Sequence, residues 1–384
     1  MQIMLKNQRK LFDLKKGIHY LNGAYMSPQL KAVQKAGMKG MSKKLHPWNI
    51  SKEDFFDHRV KLKESFAQLI DCNDYKQISL IPSVSYGIAS VANNIQLKKG
   101  QEILLVDEQF PSNVYTWQRL AKKKGGKITI IKRPKSVKNR GKKWNKKILD
   151  SINKKTKVLS MGHVHWADGT LFDLKAIQEK CQSVGAKLII DGTQSVGALP
   201  FSLEEFKVDA LVLGGYKWLM GPYSSGIAYF HPTFNEGVPI EENWFNRLYS
   251  EDFKNLTNFQ DRYQAGAERY SVGESSNFIG VPMMQSAIQQ ILAWKPKRIQ
   301  KYCRKIAKRS IEALLEKGCF IEDEDYRGHH LFGIYLPKQM DIQKIQKRLS
   351  KHHVFVSYRG QAIRVSPHVY NSAKDFEKLE SLIY

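Results

Sequence analysis

Seven short, nearly continuous apolar runs recur between positions 78 and 230, and longer amphipathic stretches separate them. Continuous apolar runs of this length are typical of strands that are buried on both faces. Their alternation with helical stretches predicts an α/β fold, in which helices cover both faces of a mostly parallel central sheet. The predicted strands are residues 78–81, 103–106, 128–131, 158–161, 188–190, 210–213 and 227–230.

The sequence also predicts how the chain divides into domains. A helical pattern over residues 54–70 precedes the strands, and a polar segment, 251–264, follows them. Beyond that segment, helices over 282–294 and 297–316 and strands near 330–335 and 363–365 indicate a smaller α+β domain. We therefore predict an N-terminal arm (1–16), a large α/β domain (17–255) and a small C-terminal domain (256–384).

Composition limits where such a chain functions. Its 384 residues, 42% of them hydrophobic, are enough to bury a sizeable core. The N-terminus is too charged for a signal peptide, and no apolar run approaches membrane-spanning length. The four cysteines are scattered without metal or redox spacing. A reduced, cytoplasmic protein with no membrane partner is the expectation.

The formal net charge of +26 raises the question of a nucleic-acid partner. Its densest runs are residues 132–147 and 295–308. However, no zinc-binding spacing or RNA-binding aromatic signature accompanies the charge, and lysines occur on almost every predicted helix. We therefore expect no nucleic-acid partner, and attraction of an anionic cofactor or substrate is the simpler use of this charge.

An acid and an amine follow two of the predicted strands. Asp191 ends one strand, and Lys217 comes just after the next, within the segment Gly-Gly-Tyr-Lys-Trp-Leu-Met-Gly-Pro. The carboxyl ends of parallel strands are where α/β proteins bind ligands, and an apolar pocket lowers the pKa of a lysine. This pair suits pyridoxal phosphate (PLP), with Lys217 forming the Schiff base and Asp191 holding the pyridine nitrogen protonated. The alternative is a helix-capping aspartate and a surface lysine.

Other strand ends offer parts of the same site. Ser83, Val84 and Ser85 follow a strand and open a helix, which suits a phosphate, although an ordinary serine N-cap also explains them. Phe110 follows the next strand and either stacks on a flat cofactor ring or packs in the core. Gln194, three residues after Asp191, is within reach of the cofactor's phenolic oxygen.

Two further segments carry candidate substrate contacts. His163 and His165 alternate on one short loop, but no carboxylate or cysteine stands at ligand spacing, so we expect no metal. His165 and Trp166 are instead predicted to line the cofactor or substrate. Arg364 lies in a strand-like run and is the predicted bidentate partner of an α-carboxylate, whereas Arg359 is expected at the surface.

The segments Asp-Gly-Thr-Gln-Ser-Val-Gly and Tyr-Lys-Trp-Leu-Met-Gly-Pro resemble the class V aminotransferase family of fold-type I PLP enzymes. That family includes cysteine desulfurases, selenocysteine lyases, kynureninases, isopenicillin N epimerase and aminotransferases. The resemblance implies a homodimer and the fold-type I architecture. It also implies these roles: Schiff base, Lys217; pyridine nitrogen, Asp191; phenolic oxygen, Gln194; phosphate, Ser83, Val84, Ser85 and Tyr216; ring stacking, Phe110; substrate, Arg364 and Asn22.

Departures from the family pattern reduce the number of candidate reactions. Cysteine desulfurases carry a catalytic cysteine shortly before the carboxylate-binding arginine, but residues 352–359 contain none. Selenocysteine lyase depends on a similar cysteine, and kynureninase would have histidine in place of Gln194. We therefore predict an aminotransferase acting on an amino acid. A C–S or Cβ lyase, a kynureninase-like hydrolase and an epimerase are alternatives, and a basic regulatory or nucleic-acid-binding protein without turnover is an alternative of another class.

Overall fold

The computed structural model of the protein describes residues 4–384, in which 12 strands and 10 α-helices are assigned. The strands are β1 (His19–Tyr20), β2 (Ile78–Ile81), β3 (Glu102–Val106), β4 (Lys127–Ile131), β5 (Thr156–Gly162), β6 (Lys187–Asp191), β7 (Ala210–Gly214), β8 (Gly226–Phe230), β9 (Phe332–Tyr335), β10 (Val354–Phe355), β11 (Ser357–Arg359) and β12 (Ala362–Val365). The helices are α1 (Lys31–Ser42), α2 (Lys52–Leu69), α3 (Val84–Asn93), α4 (Tyr115–Lys124), α5 (Arg140–Ser151), α6 (Leu174–Val184), α7 (Gly280–Trp294), α8 (Pro296–Glu316), α9 (Ile342–Lys351) and α10 (Ala373–Ser381).

All seven predicted strands of the large sheet are present, and the α/β prediction is confirmed. The strand order is β2-β8-β7-β6-β5-β3-β4. Strands β3 to β7 pair in parallel, whereas β8 runs antiparallel to both of its neighbours, β2 and β7. The carboxyl ends of all strands except β8 therefore lie at one edge of the sheet.

The nearly continuous apolar runs are explained by cores on both faces of this sheet. Successive residues of a strand point to opposite faces. In β3, Leu104 and Val106 belong to one hydrophobic cluster, while Ile103 and Leu105 belong to another. Both faces must therefore be apolar, so the strands lack the polar alternation of a half-exposed sheet.

A smaller sheet follows the large one. Strands β11, β12 and β9 form an antiparallel sheet in that order, and their apolar side chains pack with helices α8, α9 and α10 in a third hydrophobic cluster. The short strand β1 pairs in parallel with β10, which joins the beginning of the chain to this C-terminal part. The sequence pattern predicts the small α+β unit but not this pairing. The domain boundaries at 16/17 and 255/256 stay predictions.

None of the helices between residues 4 and 384 combines the length and the apolarity that a membrane crossing requires.

Candidate active site

Five strand ends bring polar and aromatic side chains to one cavity at the carboxyl edge of the large sheet. Ser83 follows β2, Phe110 follows β3, Trp166 follows β5, Asp191 ends β6, and Lys217 follows β7. All five residues line a cavity of about 350 Å³. Topology alone explains this convergence, because parallel strands end at the same edge of the sheet.

Asp191 is held at the cavity by its own strand and by the turn that follows. Its Oδ1 accepts a hydrogen bond of 2.9 Å from the backbone N–H of Thr193. Desolvation raises the pKa of the Asp191 carboxyl, while Thr193 and the positive charge of Lys217 oppose that rise. Among residues 4–384, no basic side chain forms an ion pair with Asp191, so its carboxylate can pair directly with a cationic group that enters the cavity.

Lys217 is a buried amine, with 8% of its surface exposed. Its Nζ lies 5.4 Å from the ring centroids of both Phe110 and Tyr216. The pKa of Lys217 is lowered to about 8, chiefly by burial; the charge of Asp191 opposes this shift, and the positive charges of Arg364 and Arg359 add to it. A large fraction of this amine is therefore neutral near pH 8, and a neutral amine is the nucleophilic form.

Gly215, two residues before Lys217, lies so close to its neighbours that a larger residue would not fit there. A Cβ on Gly215 would lie 1.8 Å from Met284 Cε and 2.8 Å from the carbonyl oxygen of Ser225. The N–H of Gly215 donates a 2.7 Å hydrogen bond to that same oxygen. This close approach fixes the turn after β7 and thereby the direction in which the next residues leave the strand.

The N-terminus of α3 faces the cavity with two hydroxyl groups. Ser83 is the N-cap residue, and its Oγ accepts a hydrogen bond from the N–H of Tyr86. Ser83 Oγ and Ser85 Oγ lie 2.9 Å apart, and Val84 lines the cavity between them. The serine N-cap and the anion-binding interpretation are therefore compatible, since one helix start provides both.

Gln194 has an amide orientation that its neighbours determine. The indole N–H of Trp218 donates to Gln194 Oε1 at 2.9 Å, and Gln194 Nε2 donates to the carbonyl oxygen of Ala24 at 3.1 Å. Because an indole nitrogen can only donate, the amide oxygen must face Trp218. The amide nitrogen has a second hydrogen to offer, and Gln194 lines the cavity.

Aromatic side chains form the walls of the cavity. Phe110 is 40% exposed and meets Trp166 edge to face, with ring centroids 5.6 Å apart. The Trp166 indole N–H donates to the carbonyl oxygen of Glu108, which holds the two loops together. Tyr216 packs against Tyr223 on the other side, and burial raises the pKa of the Tyr216 hydroxyl. Phe110 is thus free to stack on a ligand instead of packing in the core.

Arg364 lies in β12 and is 1% exposed. Its Nη1 donates to the carbonyl oxygen of Trp166, and its Nη2 donates to Ser357 Oγ at 3.2 Å. The Ser357 hydroxyl in turn donates to Asn22 Oδ1 at 2.7 Å. Asn22 is therefore one side chain behind Arg364, and neither residue is part of the cavity lining of the polypeptide.

His165 does not reach the cavity, in contrast to the prediction. Its ring is 2% exposed and packs on Trp144, with Nε2 3.2 Å from the carbonyl oxygen of Asp107 and Nδ1 3.4 Å from Asp168. Adjacent residues of this loop point in opposite directions, so Trp166 faces the cavity while His165 faces away. His163 is also buried, between Phe201 and Phe206, and burial lowers its pKa to about 3.

Several cavity residues were not predicted from the sequence. They are small or neutral side chains in turns, for which the sequence pattern carries no distinct signal: Ser112, Thr193, Tyr223, Ser224 and Ser225. Ser224 has a left-handed backbone with φ of 58°, which is unusual for a residue other than glycine. Tyr223 is 67% exposed, so it lies at the rim.

Comparison with protein families agrees with this geometry. The family model described as aminotransferase class-V matches residues 51–379, which is most of the chain and includes Ser83, Phe110, Asp191, Lys217 and Arg364. The chain belongs to this family. Class V aminotransferases are PLP enzymes, so the cofactor is pyridoxal 5'-phosphate, and the fold is that of the fold-type I enzymes.

Relatives within and around the family carry names for different reactions. The chain is 25% identical to an uncharacterized aminotransferase, YcbU, of Bacillus subtilis over 314 residues, 82% of this chain and 80% of the relative. It is 26% identical to a probable cysteine desulfurase of Pyrococcus abyssi over 329 residues, 79% of this chain and 77% of the relative. The structure of the cysteine desulfurase CsdA from Escherichia coli superimposes with a TM-score of 0.78 at 18% identity, covering 97% and 96% of the two chains.

The chain's own residues fit the class V cofactor. The open start of α3 with Ser83 and Ser85 suits a phosphate, and the flat ring of Phe110 faces the cavity. A carboxylate at Asp191 and an amine at Lys217 both lie on the cavity without an ion-pair partner among the described residues. These are the four kinds of group that a phosphorylated pyridine aldehyde requires.

Proposed function

We propose that this class V enzyme is an aminotransferase that acts on an amino acid, with PLP held by Lys217. The single observation that carries the proposal is that Lys217, a buried amine whose pKa is lowered to about 8, shares one cavity with the carboxylate of Asp191. A lysine placed in this way is both a nucleophile for an aldehyde and a base.

The remaining roles follow from the contacts of each side chain. PLP, when bound, supplies an electron sink that stabilises negative charge at the substrate's Cα. Asp191 would hold a proton on the pyridine nitrogen, because no side chain of the described residues forms an ion pair with its carboxylate. Lys217 Nζ would take the proton from the substrate's Cα and, once protonated, would act as the acid in the next proton transfer, which in a transamination does not go back to Cα. Arg364 would bind the α-carboxylate, and Ser357 and Asn22 would orient Arg364.

The cysteines support a reaction other than persulfide formation. A desulfurase needs a reactive cysteine at the substrate, but none of the four cysteines lines the cavity. Cys181, Cys303 and Cys319 are buried, and burial raises the pKa of each thiol. A cysteine with a raised pKa is a poor nucleophile.

A lyase that breaks a C–S or other Cβ bond is the second candidate. It is supported by the names of the relatives, several of which are cysteine desulfurases, and such a reaction uses the same Lys217 as base. A kynureninase-like hydrolase and an epimerase would also use it. The groups at the cavity can serve all of these reactions. The reaction must therefore be identified from its product, because the fold is the same for each of them.

The test of the proposed function traces the amino nitrogen of the substrate. Protein loaded with PLP is incubated with a panel of ¹⁵N-labelled L-amino acids, with and without a mixture of 2-oxo acids. An aminotransferase places the label in a new amino acid and needs the acceptor for continued turnover. A lyase or hydrolase releases labelled ammonium or a cleaved product without any acceptor, and that result would replace the proposal. No reaction with any amino acid would contradict both.

We also propose that the protein is a homodimer and that it divides into the three parts expected from the sequence. A homodimer is supported by large apolar side chains that α1 and the following turns expose, namely Met38, Met41, Leu45 and Trp48. The division into residues 1–16, 17–255 and 256–384 is part of the same proposal, and limited proteolysis with sedimentation of the purified protein tests both.

A further inference from the structure

A second arginine, Arg359, lies beside the Trp166 wall of the cavity and near enough to Arg364 for their charges to interact. Arg359 ends β11, one turn before β12, and Ala362 is its partner in the pairing of these strands. Its guanidinium lies 5.3 Å from the centroid of the Trp166 ring, and Trp166 is part of the cavity wall. The expectation of a surface arginine is therefore wrong in one respect: Arg359 is half-buried against the site.

The hydrogen-bonding capacity of Arg359 is largely unused. Its Nη1 donates to the carbonyl oxygen of Tyr358 at 2.8 Å, and its Nε is buried without a partner. Several other arginines pair with carboxylates, among them Arg247 with Glu242 and Arg304 with Glu324. Within the described part of the chain, no carboxylate lies within ion-pair distance of Arg359. A desolvated guanidinium donor without a partner is costly unless a ligand provides one.

Two arginines, Arg359 and Arg364, therefore act electrostatically on Lys217, and one carboxylate, Asp191, opposes them. Arg359 and Arg364 each lower the pKa of Lys217, and Arg359 also lowers the pKa of Arg364, for which burial is the larger cause. The only carboxylate in the cavity lining is Asp191. The α-carboxylate of an ordinary amino acid would neutralise Arg364 and leave Arg359 without a counter-ion.

We propose that Arg359 binds a second carboxylate, so that the substrate is an amino dicarboxylate and not a neutral or cationic amino acid. This inference rests on the proposed function, in which Arg364 takes the α-carboxylate. The Arg359 guanidinium lies over the Trp166 ring, and its Nη2 makes no hydrogen bond within the described residues, so this donor is available for a carboxylate. Stacking limits the motion of the side chain, so less conformational entropy is lost when the ligand binds.

The competing explanation is that Arg359 only covers Trp166 and contributes packing. The two roles differ in what substitution does to different ligands. If Arg359 is a packing residue, its loss makes Trp166 more mobile and weakens the binding of mono- and dicarboxylates equally. If Arg359 binds the second carboxylate, its loss weakens dicarboxylates alone.

The test measures binding of carboxylates that lack an amine, so it needs no turnover. Protein loaded with PLP is titrated by calorimetry with succinate and glutarate, and with butyrate and pentanoate as the matched monocarboxylates. We expect the wild type to bind one of the dicarboxylates roughly 10- to 100-fold more tightly than the matched monocarboxylate. Arg359→Gln should remove that preference and leave the monocarboxylate affinity within about twofold. Arg309→Gln, on the exposed face of α8, is the control and should change neither.

Two results would overturn the proposal. One is a wild-type protein that binds both dicarboxylates no more tightly than the monocarboxylates, and the other is an Arg359→Gln variant that keeps the preference. Failure of the proposed function is distinguishable from both. Arg364→Gln should weaken the binding of monocarboxylates and dicarboxylates alike. If this substitution changes neither affinity, Arg364 does not bind the α-carboxylate, whatever the result for Arg359.

Discussion

The guanidinium of Arg364 donates a 2.7 Å hydrogen bond to the main-chain oxygen of Trp166, although the two residues are 198 positions apart. Arg364 belongs to the small antiparallel sheet, and Trp166 belongs to the loop after β5 in the large sheet. This contact places the buried cation of one sheet against the cavity wall formed by the other. A substrate carboxylate at Arg364 would therefore contact both parts of the molecule.

Replacement of Arg364 should affect substrate binding more than the chemical step. We expect Arg364→Gln to raise KM for the amino acid by roughly 10- to 100-fold, because one charge-assisted contact with the carboxylate is lost. Arg364→Lys should recover only part of that loss, since an ammonium group lacks the planar fork. Steady-state kinetics provides the measurement, with the melting temperature of each variant as the control for folding. An unchanged KM in a folded Arg364→Gln variant would remove Arg364 from the site.

Replacement of Asp191 should lower the rate of the chemical step and not the affinity for the substrate. In Asp191→Asn, a neutral amide no longer holds the proton on the pyridine nitrogen, and we expect kcat to fall by about 100-fold or more. Asp209, which pairs with Lys187 at the opposite edge of the same strands, is the matched control. Asp209→Asn should keep wild-type kcat and lose at most about 1 kcal/mol of stability, because its ion pair is partly exposed. Equal effects of the two substitutions on kcat would contradict the role of Asp191.

The lowered pKa of Lys217 predicts how cofactor loading depends on pH. Below its pKa of about 8, the Lys217 amine carries a proton and a positive charge, so it cannot attack an aldehyde. Above that pH the amine is neutral. The rate at which cofactor-free protein takes up PLP should therefore rise with pH around 8 and level off above about pH 9.

Stopped-flow absorbance at constant ionic strength measures this rate. An ordinary lysine, with a pKa of 10.5, would give a rate that still rises between pH 9 and 10. That profile would mean that the amine is solvated and would contradict the burial of Lys217.

The individual elements of this fold can be predicted from local sequence, but their arrangement depends on long-range contacts. Each predicted strand of the large sheet is found within two residues of its expected ends, because an apolar run buried on two faces has a distinct composition. The antiparallel direction of β8 has no such signal, since its residues look like those of its parallel neighbours. The pairing of β1 with β10 joins segments more than 300 residues apart, which no local pattern reports.

The same distinction applies to the site. The strand that ends at Asp191 and the glycine-rich turn before Lys217 are visible in the sequence, because both are short-range patterns. The direction of His165 depends on how its loop packs against Trp144, so its predicted substrate contact does not agree with the structure. The unpaired state of Arg359 is also a long-range property, since the sequence cannot show that no acid lies nearby.

The position of the cofactor on the chain is the most direct test of the account. Protein loaded with PLP is reduced with borohydride and digested, and the peptides are analysed by mass spectrometry. We expect a phosphopyridoxyl group on Lys217, its loss in Lys217→Ala, and its retention in Lys207→Ala, which removes an exposed lysine far from the cavity. A label on a different lysine of the wild-type protein, or unchanged labelling in Lys217→Ala, would contradict it.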